Sequence, residues 1–150
     1  MYKVRKLFTL ETRTMLLFIE AFFYLGWARF LICLPFSKIA PSLGVHMQET
    51  PHSQIQTNKA ALKHVYDAIR VMGNHTFWES KCLVRAIAAM KMLERRRIES
   101  TLYLGTARDE SGKMIAHAWL RSGPFYITGA EGMESFTIVG IFASRLSDHR

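Results

Sequence analysis

Two stretches of the chain carry apolar residues at helical spacing. One covers residues 57–72, and the other follows Ser80 as far as residue 97. Apolar side chains that recur three or four residues apart share one face of a helix. We therefore predict a helix over each stretch, the first capped by Thr57 or Asn58 and the second running over 81–97 from an N-cap at Ser80.

After residue 100 the pattern changes from helical spacing to alternation of apolar and polar positions. Alternation with a period of two is typical of strands, and Asp109 to Gly112 supply turn residues between the first two. The predicted strands are Thr101–Thr106, Met114–Leu120, Phe125–Thr128 and Phe136–Phe142. Helices followed by an antiparallel meander indicate an α+β domain, which is the fold class that we predict.

The N-terminal third is dominated by one apolar helix. Residues 15–34 are almost all apolar, and only Glu20 and Arg29 interrupt them with charge. A helix that is apolar nearly all round is buried in a core, covered by a partner protein or inserted in a membrane. Because the two charges offset most of the gain from inserting the apolar side chains, we favour a core or a partner, and membrane association stays open.

An irregular connection is expected after this helix. The segment 35–51 contains prolines, serines and a glycine and lacks a steady periodicity. We expect a boundary near residue 55, which divides the chain into an N-terminal helical region with its connection at 1–54 and a second domain at 55–150. The apolar run ends without the small-residue cleavage site of a secretory signal, so secretion is not expected.

Composition and charge narrow the class of protein. The 150 residues suffice for one core, and 49% hydrophobic against 21% charged residues argues against a disordered chain. The formal net charge of +8 suits an anionic partner. We do not expect nucleic acid, because the arginines at 95–97 have no interleaved aromatic residues and indicate a solvated helix end.

The cysteines indicate a reducing compartment. Cys33 and Cys82 lie far apart in the chain, and Cys33 falls in the apolar run, where reduced, buried thiols are common. We therefore expect two free thiols and a cytoplasmic location, with membrane association open through the N-terminal helix.

Two residues are candidates for a nucleophile and its base. Cys82 lies two residues after the predicted cap Ser80, where free backbone N–H groups and the helix dipole favour a thiolate. Alternation places His117 on the same strand face as Ile115 and Trp119. If that face meets the start of the helix, His117 can reach Cys82, as a cysteine nucleophile and its base require. A buried structural cysteine and a histidine bonded to a backbone carbonyl are the alternatives.

Neither a metal site nor a nucleotide site is expected. Cys82 and His117 have no further ligands at metal-binding spacing, and the other histidines form no such pattern. Gly129 and Gly132 lie between strands, whereas a phosphate loop joins a strand to a helix. We therefore predict no metal and no cofactor.

Three segments taken together resemble one known family. They are Trp78–Ala86, which contains Cys82, Ser100–Thr106, and Ala116–Leu120, which contains His117. The segments 128–132 and 136–139 are similar to the ends of the same proteins, so the resemblance covers roughly residues 59–142. The apolar N-terminal helix is similar to the family's as well. The family is the leader peptidase of lasso-peptide biosynthesis.

The resemblance implies a transglutaminase-like branch of the papain-type fold, in which a helix bearing the cysteine packs on an antiparallel sheet bearing the histidine. It implies a cysteine peptidase that removes the leader from a ribosomally made precursor before an ATP-dependent cyclase closes the macrolactam. The implied partners are the precursor leader peptide, a separate PqqD-like recognition protein and the cyclase. A chain of this length is expected to leave no room for a recognition domain of its own.

The chain departs from the family in the third member of the triad. The family has an aspartate shortly after the histidine, whereas the segment 125–131 contains none. We predict Glu131 as the carboxylate that orients His117, with Glu134, the Thr128 hydroxyl or a backbone carbonyl as alternatives. Glu131 completes the predicted catalytic set.

The reaction also needs donors for the oxyanion of its tetrahedral intermediate. The backbone N–H of Cys82 is one, and Asn74, His75 and Trp78 are candidates for the second. Two other functions stay open at this point. One is a non-catalytic scaffold whose apolar helix docks the precursor, the cyclase or a membrane, and the other is an enzyme that passes the acyl group to an amine, as transglutaminases do.

Overall fold

The computed structural model describes residues 2–52, 59–75 and 81–145, and over 2–11 it describes the backbone only. The helices are α1 (Tyr2–Leu31), α2 (Phe36–Ile39), α3 (Lys59–Gly73) and α4 (Cys82–Arg95), with short 3₁₀ helices at Ala40–Leu43 and Met133–Ser135. The strands are β1 (Val45–His46), β2 (Ser100–Arg108), β3 (Met114–Ser122), β4 (Phe125–Thr128) and β5 (Thr137–Ser144). The strands pair antiparallel in the order β1-β5-β2-β3-β4, which confirms the predicted α+β fold class. The predicted meander holds for β2 to β4 only, because β5 pairs with β2 rather than with β4.

The predicted helices and strands after residue 59 are present with shifted ends. α4 ends at Arg95 rather than at residue 97, because Arg97 adopts a positive φ of 57°. The Arg97 amide then donates to the Glu94 carbonyl and the Ile98 amide to the Leu93 carbonyl, which satisfies two carbonyls at the helix end. The predicted caps at residues 57 and 58 lie outside the described residues, and the prediction of Ser80 as the cap of α4 is wrong, because Lys81 takes the N-cap position.

The connection between α1 and α3 is more regular than the sequence predicts. Where we expected an irregular segment at 35–51, α2, a 3₁₀ helix and β1 form. β1 pairs with β5 through Val45 and His46 and adds an edge strand to the sheet. Two residues are too few for alternation to be visible in a sequence. The boundary expected near residue 55 falls in 53–58, outside the described residues.

α4 lies between two layers of the molecule. It packs on β2, β3 and β4 on one side and on α1 and α3 on the other. The buried residues of α4 are Val84, Ala86, Ile87, Ala88, Ala89, Met90, Met92 and Leu93. Because the five consecutive positions 86–90 point in all directions around the helix axis, α4 is surrounded by protein over its middle turns. The helix that begins with Cys82 is therefore the centre of the core.

α1 buries one of its two faces. Ala21, Leu25 and Ala28 are spaced about one helical turn apart and are fully buried against α3 and α4. The opposite face is exposed and apolar, so the expectation of a core helix holds for one face only. Among the described residues, one helical segment, Thr12–Leu31, is long and apolar enough to cross a membrane by length and composition alone.

Glu20 ties α1 to the end of α4. Its two carboxylate oxygens each accept a hydrogen bond of 2.7 Å from Arg96, and a nitrogen of Arg95 lies 3.3 Å away. Partial burial alone would raise the pKa of Glu20, but the hydrogen bonds and charges of Arg96 and Arg95 outweigh it and hold the pKa below its ordinary value. The carboxylate is therefore charged and paired at neutral pH.

Arg121 fastens the segment before α3 to the sheet. It is 1% exposed, although it carries a charge. Its guanidinium donates hydrogen bonds to the hydroxyls of Tyr103 and Thr101 and to the carbonyls of Thr50, Pro51 and Gly123. Tyr103 in turn donates to Glu49 over 2.6 Å. Burial and the hydrogen bond to Glu49 raise the pKa of Tyr103 to about 12, so the phenol stays neutral and keeps donating.

Cys33 is exposed, which corrects the expectation of a buried thiol. It lies two residues beyond the end of α1, where the chain leaves the core. Its Sγ accepts a hydrogen bond of 3.2 Å from the Arg29 guanidinium. An apolar neighbourhood in the sequence did not mean burial here, because Cys33 lies past the end of α1 and outside the core.

We expect Glu20→Gln to lower the free energy of unfolding by about 1 to 3 kcal/mol at neutral pH, because it removes charged hydrogen bonds from a nearly buried pair. A lowered folded-state pKa contributes stability above the unfolded value that is lost as the pH falls through the folded value. The difference between the variant and the wild type should therefore shrink below the ordinary glutamate pKa of 4.5. Urea unfolding at neutral and acid pH measures both effects.

Asp67→Asn is the matched control for this substitution. It removes a carboxylate charge from an exposed pair with Arg70, whose atoms lie 3.8 Å apart. Such pairs contribute about 0 to 1 kcal/mol, so the loss should be smaller than for Glu20→Gln. Equal losses in the two variants would show that Glu20 does not hold α1 in place.

Candidate active site

Cys82 is the first residue of α4. Lys81 takes the N-cap position with an extended backbone, and its side chain makes no capping hydrogen bond. Backbone N–H groups in the first turn have no partner within the helix, and together with the helix dipole they stabilise negative charge on the Cys82 Sγ. The thiol is free and partly buried. The structure thus places Cys82 at the first position of the helix, whereas the sequence predicted it at the second.

Arg85 holds the end of α3 against the start of α4. Its guanidinium donates to the Asn74 side-chain oxygen over 2.9 Å and packs on Gly73, where an added Cβ would lie 2.9 Å from the Arg85 Cζ. With Arg70 of α3 it adds positive charge beside Cys82. Neither arginine was predicted as a site residue, although Arg85 follows Cys82 by three residues, which places the two on one helix face.

The imidazole of His117 is held by a backbone carbonyl. Its Nε2 lies 2.7 Å from the oxygen of Gly129. A carbonyl oxygen only accepts, so Nε2 carries the proton of the neutral ring, and Nδ1 keeps its lone pair. The hydrogen bond therefore selects the tautomer in which Nδ1 is the base.

An aromatic row supports the same ring. The His117 centroid lies 5.8 Å from that of Trp119 and 5.0 Å from that of Phe136, and Trp119 stacks on Tyr103 at 5.6 Å. Gly105, opposite His117 in β2, makes room for these rings, since an added Cβ would lie 2.9 Å from both Trp119 and Phe136. Ring contacts and the Gly129 carbonyl together fix the orientation of His117.

Cys82, His117 and Glu131 line one open cavity of about 610 Å³. Its other lining residues are Tyr66, Ile69 and Arg70 of α3, Arg85 of α4, Tyr126, Ile127 and Thr128 of β4, and Gly129 and Ala130 of the turn that follows. The structure therefore brings the three predicted site residues to one place, although 49 residues separate the first from the last.

His117 does not lie on the face of β3 that meets α4. The condition under which we expected His117 to reach Cys82, that its strand face meets the start of the helix, is therefore not fulfilled. Ala118 and Leu120 pack into the core with α4, so alternation directs His117 to the opposite face. β4 pairs with β3 from Leu120 onward, and among the described residues no strand covers the β3 edge beside His117. Cys82 and His117 therefore approach the cavity from opposite sides of this open edge.

Within the described part of the chain, no hydrogen bond joins His117 to Cys82 or to Glu131. Catalytic hydrogen bonds often shorten only when substrate binds. The Thr128 hydroxyl is buried and has no partner among the described residues, and Glu134 is exposed outside the cavity lining. Of the alternatives for orienting the ring, the geometry realises the backbone carbonyl, at Gly129. A catalytic role for Glu131 stays a prediction.

The predicted oxyanion donors are partly in place. The Cys82 amide is at the helix start beside the cavity. Asn74 is engaged with Arg85, His75 bonds the Val71 carbonyl through Nδ1 over 2.7 Å, and neither lines the cavity. Trp78 lies outside the described residues. No group of three metal-binding side chains forms in the regions that the structure covers.

A family model described as the transglutaminase-like superfamily matches residues 30–140. This match covers more than half of the chain, and the protein belongs to the transglutaminase-like superfamily. Its members are generally cysteine peptidases or acyltransferases. Comparisons with curated proteins and with solved structures give no significant match. A cysteine nucleophile is common to the chemistry of this superfamily, and the cavity contains Cys82 in its lining.

We expect Gly129→Ala to lower activity by up to about 10²-fold, because displacing the Gly129 carbonyl would break its hydrogen bond to His117 and let the imidazole change its orientation. Gly129 has a φ of 71°, and an added Cβ would lie 2.4 Å from the Ala118 carbonyl oxygen, so the backbone must move. Steady-state rates with a peptide substrate, together with thermal unfolding, measure the effect.

Gly132→Ala controls for the strain of the substitution itself. Gly132 also has a positive φ, of 78°, but an added Cβ would meet nothing within 4 Å. The control should keep near wild-type activity and lose only the small stability that a positive φ costs an alanine. Equal activities in the two variants would mean that the Gly129 carbonyl does not position His117.

Proposed function

We propose that this protein is a cysteine peptidase that removes the leader from a ribosomally made lasso-peptide precursor before the macrolactam closes. The observation that carries the proposal is the convergence of a helix-start cysteine and a carbonyl-held histidine on one open cavity. Membership of a superfamily of cysteine peptidases and acyltransferases supports the reaction class. The resemblance of the segments around Cys82 and His117 to lasso leader peptidases supports the substrate.

In the proposed reaction, Nδ1 of His117 takes the proton of the Cys82 thiol, and the thiolate attacks the carbonyl carbon of the last leader residue. A bond forms between sulfur and carbon, and the peptide C–N bond breaks as the imidazolium returns its proton to the leaving amine. The products of this step are a thioester on Cys82 and the free amino group of the core peptide. Water activated by His117 then hydrolyses the thioester to the leader carboxylate and the thiol.

The Gly129 carbonyl assists this reaction in two ways. While it holds the proton on Nε2, only Nδ1 of the neutral ring can act as a base. When Nδ1 becomes protonated, the partial negative charge of the carbonyl oxygen stabilises the imidazolium. A carbonyl oxygen has less negative charge than the aspartate of the lasso leader peptidases. We therefore expect this protein to be active, with a lower rate than those enzymes.

The cavity suits an extended peptide. Its volume of about 610 Å³ falls in the range of ligand-binding clefts. Aromatic and aliphatic side chains from α3 and β4 can bury apolar substrate groups, and Arg70 and Arg85 offer positive charge to the carbonyl oxygen or to acidic leader residues. The Cys82 amide is the proposed first oxyanion donor.

The proposed partners follow from the proposed reaction. They are the precursor leader peptide, a separate PqqD-like protein that presents it, and the cyclase that uses the freed amine. We propose a cytoplasmic location, because the precursor is made there and because the reducing conditions keep both cysteines as free thiols.

We expect Cys82→Ala to abolish leader removal, and His117→Ala to lower it by about 10² to 10⁴-fold, because the first removes the nucleophile and the second its base. The assay mixes the purified chain, recognition protein and precursor and follows the cleaved leader by mass spectrometry. Cys33→Ala is the matched control, since it removes an exposed thiol that does not line the cavity and should leave the rate unchanged. Full activity in Cys82→Ala would end the proposal.

The same assay separates the other two functions. A free leader carboxylate marks hydrolysis, whereas a leader joined to an added amine marks acyl transfer. Alkylation of the protein in the Cys33→Ala background should stop the reaction through Cys82 alone. Cleavage that persists after complete alkylation would assign this chain a scaffold role instead.

Glu131 has its own test. Because the imidazole already has the Gly129 carbonyl as a partner, we expect Glu131→Gln to lower activity by less than about tenfold, whereas removing a true orienting carboxylate costs on the order of 10⁴-fold. Glu134→Gln, outside the cavity, is the control of equal charge change and should match the wild type. A loss of several orders of magnitude in Glu131→Gln would make Glu131 the third catalytic residue.

A further inference from the structure

The exposed side of α1 forms a continuous apolar surface. Six large side chains on it are between 41% and 69% exposed: Met15, Leu16, Ile19, Phe23, Trp27 and Phe30. At 100° per residue they fall within a sector of about 120°, opposite to the buried Ala21, Leu25 and Ala28. We call this sector the outer face of α1. Exposed apolar patches of such extent mark sites of interaction with a protein or a membrane.

Around the outer face cationic side chains outnumber the carboxylates, which are Glu11, Glu20 and Glu94. At the same angular spacing, Arg13 and Arg29 fall near its two edges, and the exposed Arg95 of α4 borders the groove of about 940 Å³ between the helices. The two carboxylates of that groove are already paired, Glu20 with Arg95 and Arg96, and Glu94 with Lys91. This surface therefore complements a layer of negative charge around an apolar interior.

The sequence before the outer face extends this character. Lys3, Arg5 and Lys6 precede Arg13, and the whole chain carries a formal charge of +8. An apolar helix face rich in aromatic residues with cationic flanks is typical of helices that lie in the plane of an anionic membrane surface. Anionic headgroups attract each nearby lysine or arginine, while the apolar side chains enter the acyl boundary.

The packing of α1 distinguishes lying on the membrane from crossing it. Thr12–Leu31 is long and apolar enough to span a bilayer by length and composition. Spanning would pull Ala21, Leu25 and Ala28 out of the core and break the hydrogen bonds of 2.7 Å between Glu20 and Arg96. A helix lying in the interface keeps all of these contacts and buries only the outer face.

We propose that the outer face of α1 attaches the folded protein to an anionic bilayer, with the helix parallel to the membrane plane. This attachment is independent of the peptidase reaction, because neither the outer face nor its flanking arginines line the cavity of Cys82. It assigns a use to the apolar surface that the core leaves uncovered on the part of α1 whose side chains the structure describes.

The test is sedimentation of the full chain with vesicles of phosphatidylcholine alone and of phosphatidylcholine mixed with phosphatidylglycerol. We expect binding to the mixed vesicles that weakens as salt is raised. The double variant Phe23→Glu and Phe30→Glu should lower the bound fraction at least about tenfold, since each phenylalanine contributes more than one factor of ten when buried. Leader cleavage in solution should stay at the wild-type rate.

The control is Met114→Glu with Val139→Glu, two exposed apolar residues of the sheet outside the outer face. It adds the same negative charge and should keep wild-type vesicle binding. Trp27 supplies a second measurement, because its emission should shift to the blue on the anionic vesicles, and Trp27→Phe should lose that shift.

Three results would overturn the proposal. The first is an absence of binding to the mixed vesicles, and the second is an equal loss of binding in the control variant. The third is a dimer in solution that the Phe23 and Phe30 substitutions dissociate, because the outer face would then be the interface with a second copy of the chain. Bound protein that resists alkaline extraction would replace the in-plane helix with a spanning one. Release by alkaline extraction supports the in-plane arrangement.

Discussion

The burial of the middle turns of α4 on all sides is the constraint on which the rest of the structure depends. Five consecutive buried positions leave this helix no surface along which it can rotate or slide without disturbing both the sheet and the α1–α3 layer. A shift by one residue would turn its side chains by about 100° and move apolar groups out of contact. The position of Cys82 at its first residue is therefore set by the core rather than by contacts of the cysteine itself, which lies where core packing ends and the cavity begins.

The imidazole depends on a second, separate set of interactions on the other face of the sheet. Arg121 and Tyr103 bind the segment before α3 over that face, and Tyr103 begins the aromatic row that runs through Trp119 to His117. Arg121 is buried among neutral acceptors, and the negative charge that offsets its own is one step away, on Glu49 behind the Tyr103 hydroxyl. The orientation of His117 thus rests in part on a polar cluster outside the cavity lining.

The sequence revealed those elements whose two faces differ in chemistry. α3 and α4 were predictable because apolar residues repeat at helical spacing, and β2 to β5 because apolar and polar positions alternate. β1 was not, since a two-residue strand is defined by its backbone pairing with β5. In α1, Leu25 is buried while Leu16 is exposed, and hydrophobicity alone does not separate them. The sequence predicted that Cys82 and His117 are the reactive pair to examine, but not that β3 turns His117 away from α4.

That last difference has a chemical consequence. The sulfur lies at the end of a buried helix and the imidazole on the opposite face of the sheet, and both reach the cavity at the β3 edge that β4 leaves open. The turn at 129–132 borders this opening, supplies the carbonyl that holds Nε2 and contains Glu131. A small displacement of the turn moves the imidazole relative to a sulfur that the core keeps still. Since Thr128 to Ala130 also line the cavity, whatever occupies it and the placement of the imidazole depend on the same few residues, so that in the proposed reaction a bound peptide would bring the Cys82 sulfur and the imidazole together.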